Sequence, residues 1–141
     1  MSFNTNTLAR DTVVQYLYQC ESEKLFYFSE SQFEHFIEHF SIDSRAKKYA
    51  AYLAAGVLED VTMLDDLITK HSKNWSVSRM AITDRVILRM ACWELLERKE
   101  PPKAVINESI DLAKKYGTEH SGSFVNGIID SVRQAIGVGT V

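Results

Sequence analysis

The sequence predicts an all-α fold of about seven amphipathic helices, arranged as two packed sub-bundles over roughly 8–73 and 76–137 of a single domain. Three observations carry this. Apolar residues recur at three- and four-residue spacings along nearly the whole chain, and no stretch alternates as a strand does. Helix punctuation falls between the periodic runs: Ser31, Asp43, Thr83 and Ser121 as openers, Pro101-Pro102 as a start and Gly117 as a stop. At 141 residues the chain is long enough to bury a core without disulfides.

The elements follow in order. Residues 1–7, MSFNTNT, read as a polar, uncapped lead. A first helix runs from about Leu8 to Glu23, with Ala9, Val13, Leu17 and Cys20 on one face. A second spans about 31–40: Ser31 and Glu34 form a capping-box pair, and Phe33, Phe36, Ile37 and Phe40 form the buried side. The longest is expected over 43–72, with Tyr49, Leu53, Val57, Leu64 and Ile68 along it and Gly56 where another helix would come close. Asn74-Trp75-Ser76 breaks the pattern and divides the halves, and SVSRM makes a single turn. A further helix starts at Ile82-Thr83-Asp84, with Thr83 as its cap and Ile82 stapled onto Ile87, and ends near Lys99.

The last two helices lie in the stretch from residue 101 to 130, with Val132 continuing the final stripe. Proline lacks an N–H, so Pro101-Pro102 can only open a helix; Ile106, Ile110 and Ala113 then share a face. Lys114 and Lys115 suit the negative pole, and Gly117 is free to take positive φ there. Ser121 caps the last helix, whose stripe is Phe124, Ile128 and Val132. Asn107, Glu108, Asn126 and Gly127 interrupt these apolar runs, and a mid-helix Gly costs about 0.8–1 kcal/mol relative to Ala. Close helix approach or a cross-helix amide bond would explain them; so would ordinary packing detail. Assigned to structure, Asn126 predicts a loss of about 1–3 kcal/mol on replacement by Ala.

Charge excludes some functions. The formal charge is −3, so no bulk positive field announces nucleic acid. Residues 1–40 hold two basic groups (Arg10, Lys24) against six acidic ones (Asp11, Glu21, Glu23, Glu30, Glu34, Glu38). Cys20 and Cys92 lie in apolar helical patterns and read as reduced core residues. Neither a signal peptide nor an apolar run of membrane-spanning length is visible, so the expected location is the cytoplasm, with no membrane contact.

Catalytic patterns are missing too. There is no nucleophile elbow and no phosphate loop, and Asp65-Asp66 reads as a solvated edge. His35 and His39 share a helix face but need a third ligand from elsewhere; two surface histidines are the better reading, with no metal and no cofactor. Binding has more to work with. Arg10 stands at what reads as the exposed start of a helix, and Ser121, Gly122 and Ser123 precede the last helix, where free N–H groups receive anions. Tyr16, Tyr18 and Tyr27 offer rings for stacking on single-stranded bases, though packing is their commoner use. Unaided, the residues describe a helical binding module.

Lys103-Ala104-Val105-Ile106-Asn107-Glu108, Asp111-Leu112-Ala113-Lys114 and Phe124-Val125-Asn126-Gly127 together resemble, in register, the C-terminal pattern of the NusB family of bacterial antitermination factors. Ala9-Arg10-Asp11 with Val14-Gln15 and Leu17-Tyr18 looks like the family's first helix. Asp84, Ile87-Leu88-Arg89 and Glu94-Leu95 look like its central one. The likeness spans nearly the whole chain and is weakest across 24–42.

The resemblance implies an all-helical, non-enzymatic protein that binds boxA RNA as a heterodimer with NusE, a small-subunit ribosomal protein. Together they act on the RNA polymerase elongation complex with other Nus factors. It implies an RNA surface of Asn6, Thr7, Leu8, Arg10, His120, Ser121, Ser123 and Phe124, and a NusE surface around Tyr18, Asp84 and Arg85. The departures are an arginine cluster replaced by Asn6, Thr7 and Leu8, and a frequent lysine replaced by Ser123. They leave open a NusB-like interaction module with weakened RNA binding, or a homodimer that buries the same polar surface. They also predict weak RNA binding by the protein alone.

Overall fold

The computed structural model of the protein describes residues 4–73 and 75–137. Among these residues there are seven α-helices and no strand: α1 (Thr5–Glu23), α2 (Glu30–His39), α3 (Lys47–Glu59), α4 (Val61–His71), α5 (Ile82–Glu97), α6 (Pro102–Tyr116) and α7 (Ser121–Ala135). Single 3₁₀ turns occupy Ser44–Ala46 and, as SVSRM suggested, Val77–Arg79. None of the described helices is long and apolar enough to cross a membrane.

The chain divides into two compact units between Glu59 and Asp60, not near Asn74, which lies outside the described residues. The helix expected over 43–72 is correspondingly broken. After the turn at Ser44–Ala46, α3 stops at Glu59, and Asp60 leaves helical geometry (φ −107°, ψ 18°). No Pro or Gly marks the place. Instead the Asp60 carboxylate accepts the indole N–H of Trp93 (3.2 Å), a contact from far along the chain that fixes the start of α4.

In the first unit α1 packs on α3. The Tyr16 ring of α1 receives Phe33 and Phe36 of α2 edge-on, with centroids 5.0 and 5.4 Å away. Such aromatic contacts contribute about 0.5–1.5 kcal/mol each beyond burial. Phe33, Phe36 and Ile37 are buried as expected, whereas Phe40, at the C-cap, is 51 % exposed. The cap of α2 is Ser29, whose hydroxyl accepts the Gln32 N–H at 3.3 Å, rather than Ser31. α1 starts earlier than the apolar pattern does, because Asn4 Oδ1 accepts the N–H groups of Asn6 and Thr7 at 3.0 and 3.1 Å.

In the second unit α4, α6 and α7 all pack on α5. α5 is therefore buried almost all round, from Asp84 to Leu95, with Glu94 at 2 % exposure among its buried residues. It opens at Ala81 without a side-chain cap, so Thr83 lies inside the first turn. Asp65 is no solvated edge. Its two oxygens hold the buried Arg89 guanidinium at 2.7 and 2.9 Å, tying α4 to α5. Cys20 and Cys92 are both buried free thiols.

Candidate nucleic-acid interface

In the first unit the expected RNA-facing residues lie at the front of α1. Thr7 is exposed and Asn6 half-buried, both held by the Asn4 cap. Arg10 corrects the expectation of an exposed basic residue: it is 1 % exposed. The reason lies in the helix. Arg10 shares a face with Val14 and Leu17, and both are buried, so the helix carries the guanidinium inward with them. At 1 % exposure its guanidinium is withdrawn from the surface where a phosphate would bind.

In the second unit the expected RNA-facing residues lie at the turn between α6 and α7. Gly117 does not take positive φ; its backbone is extended (φ −98°, ψ −156°). It is glycine because a Cβ there would lie 2.7 Å from the Ala113 carbonyl oxygen and 2.6 Å from Ser121 Cβ. Ser121 is the first residue of α7, preceded by His120 at the cap position. It is 1 % exposed, and its hydroxyl accepts the Thr118 N–H at 2.9 Å while its own N–H donates to the Thr118 carbonyl at 3.1 Å. This reciprocal clasp makes Ser121 a fastener of the turn. Gly122 is also buried, under the Lys114 stem.

His120 and Ser123 point outward. The His120 side chain is 85 % exposed, and Ser123 donates to the His120 carbonyl at 3.2 Å. Half-buried Phe124 meets the Trp75 ring edge-to-face at 6.4 Å, and the Arg79 guanidinium lies over that indole, 5.6 Å from its centroid. Arg79, with Arg85, Lys114 and Lys115, was the alternative basic surface that the sequence offered in place of the missing arginines, whereas Trp75 read only as part of a helix break. The only signal was an aromatic inside a polar break, followed four positions later by a cation.

Asn107 and Asn126 are exposed and Glu108 half-buried, so they do not form a buried amide link. Nothing lies within 4 Å of a Cβ built on Gly127, so no helix approaches there either.

The residues expected to face a protein partner fall in both units. On the first, Tyr18 is 45 % exposed on α1, away from the buried arc. On the second, Asp84 lies in the first turn of α5, nine-tenths buried, and its Oδ1 accepts no hydrogen bond. Arg85 donates to the carbonyls of Ser78 (3.2 Å) and Met80 (2.8 Å), locking the 3₁₀ turn that carries Arg79. His35 and His39 stack at 6.1 Å on α2, and the described residues include no group of three or more His, Cys, Asp or Glu placed to hold a metal.

The NusB family profile matches residues 7–134, nearly the whole chain. The chain belongs to the NusB family. A transcription antitermination protein NusB of Desulfitobacterium hafniense is 38 % identical over 130 residues, covering 92 % of this chain and 88 % of that protein. Among solved structures, NusB of T. maritima superposes with a TM-score of 0.79 at 36 % identity, covering 95 % of this chain and 93 % of that one. A chain in the crystal structure of antitermination factors NusB and NusE in complex with dsRNA gives a TM-score of 0.82 at 30 % identity, covering 95 % and 99 %. In the second unit, the exposed polar turn before α7 and the Asp84 Oδ1 without a hydrogen-bond partner are features that packing alone does not explain.

Proposed function

We propose that this protein is a transcription antitermination factor that binds boxA-type RNA as a heterodimer with NusE and promotes processive transcription of ribosomal RNA operons. The observation that carries this is the likeness, over 95 % of the chain, to a chain of the NusB–NusE–dsRNA complex. It acts in the cytoplasm, with the RNA polymerase elongation complex and other Nus factors, and its role is binding rather than catalysis.

On this reading Asn6, Thr7, His120, Ser123 and Phe124 meet RNA, while Arg10 and Ser121 hold the backbone that presents them. Tyr18, Asp84 and Arg85 form the NusE side. The Asp84 Oδ1 supports this, because a buried carboxylate oxygen without a donor costs free energy that a partner's N–H would recover. The burial of Arg10 favours a version in which the protein's own RNA affinity is low and NusE supplies most of it.

A pull-down with NusE, with and without boxA RNA, tests the proposal. The expected result is NusE capture that strengthens with RNA and weakens in Asp84→Ala. No capture under either condition overturns it.

A further inference from the structure

We propose that Trp75, braced by Arg79 and Phe124, is the stacking platform on which one unpaired base of the RNA sits. This rests on the RNA-binding reading above and adds to it a residue that the family motifs in this sequence did not single out.

Trp75 is 51 % exposed, an unusual position for the largest apolar side chain. Its exposure is built. The buried Ser72 clasps its backbone from both sides: the Trp75 N–H donates to the Ser72 carbonyl (3.1 Å), and the Ser72 hydroxyl donates to the Trp75 carbonyl (2.7 Å). Phe124 supports the ring from the first turn of α7, and Arg79 lies over it. Arg79 is in turn positioned by the 3₁₀ turn that Arg85 locks through the carbonyls of Ser78 and Met80.

A half-exposed indole with a cation over it suits a flat, electron-rich ring beside a phosphate. That is the chemistry of a single-stranded nucleotide: the base stacks, and the guanidinium faces the backbone. A duplex would keep its bases stacked on each other and leave the indole without a role. The neighbours agree, since exposed Ser123 adjoins Phe124 in sequence, exposed His120 lies one helical turn before it, and both offer polar contacts for a sugar or base edge. All of these groups lie in one compact unit, so the platform exists without any rearrangement.

The test uses the heterodimer with NusE and single-stranded boxA-type RNA, read by affinity and by tryptophan fluorescence. The chain has only two tryptophans, and Trp93 is buried with its indole N–H on Asp60, so an RNA-dependent change reports Trp75. RNA should quench the emission of the unmodified complex, and Trp75→Phe should abolish the quenching while keeping most of the affinity. Trp75→Ala should weaken binding about 5- to 150-fold, the effect of one stacked base, with an unchanged salt slope because no ionic contact is lost. Equal affinity in Trp75→Ala, with the unmodified complex binding normally, overturns the platform and leaves the RNA-binding reading standing. Loss of NusE binding in Trp75→Ala overturns it in favour of a protein contact. No RNA binding by the unmodified complex overturns both.

Discussion

Arg10 would pass for a phosphate contact by its charge and by its place near a helix start, but its neighbours on the helix decide otherwise. Val14 and Leu17 are buried, and a side chain that shares their face goes inside with them. The periodicity needed to see this was in the sequence; the charge drew attention away from it. Arg10→Ala is therefore expected to remove packing and polar partners together and to cost about 2–4 kcal/mol, readable as a drop in denaturant midpoint. Unchanged stability would put the guanidinium back on the surface. Cysteine chemistry was legible from the start, because Cys20 and Cys92 sit in apolar stripes. Burial pushes the Cys92 thiol up to about 12 from its ordinary 9.0. The folded chain holds that proton through a range in which the unfolded chain releases it, so stability is full below about pH 9 and falls as pH rises from there towards 12. Urea midpoints at pH 7, 9 and 10.5 should show the decline, and Cys92→Ala should flatten part of it. A midpoint constant to pH 10.5 would contradict this.

α6 was readable because its own residues end it, whereas the break between α3 and α4 was not, because a distant residue makes it. Pro101-Pro102, Lys114, Lys115 and Gly117 bracket α6 from within, and Val77–Arg79 forms its turn as expected. The break between α3 and α4 depends instead on the Trp93 indole reaching Asp60, which no local pattern announces. Two glycines make the same point in a form that can be measured. Gly117 is required by contact, since a Cβ would press on the Ala113 carbonyl and on Ser121. Gly127 has nothing near it and lies exposed inside α7. Gly117→Ala should destabilise by about 1–3 kcal/mol through forced repacking of the turn. Gly127→Ala should stabilise by about 0.8–1 kcal/mol through helix propensity. Thermal midpoints that move in opposite directions would bear this out; a loss at both sites would mean that Gly127 is held by a contact. Asn126, also exposed, falls with Gly127: its replacement by Ala is now expected to shift stability by no more than about 0.5 kcal/mol in either direction.

At the scale of the whole molecule, fold class followed from periodicity and family from three ordered motifs. The distribution of charge over the units did not follow, because the dividing point was misplaced. The unit that ends at Glu59 carries eight acidic against five basic residues, and the one that starts at Asp60 carries eleven of each. With Arg10 buried, the described residues of the first unit include no exposed basic side chain near Asn6 and Thr7 in sequence. Arg79 beside Trp75 and Lys114 over Gly122 are two cations that the second unit sets near its polar turn, while Lys115 lies over the Tyr116 ring at the end of α6. For a single strand, each phosphate neutralised adds about 0.7 to the magnitude of the slope of log K against log[salt]. Two such contacts give the lone protein a slope of about 1.4, and stacking on Trp75 adds affinity without steepening it. Titrations between about 50 and 300 mM salt should therefore find weak, shallowly salt-dependent binding by the protein alone. Addition of NusE should make binding both tighter and steeper, because the extra ionic contacts come from the partner. Arg79→Ala should lower the lone-protein slope by about 0.7, whereas Thr7→Ala should leave it unchanged. A lone-protein slope of about 2.8 or more, equivalent to four phosphates, would mean that a basic surface elsewhere on the chain carries the RNA.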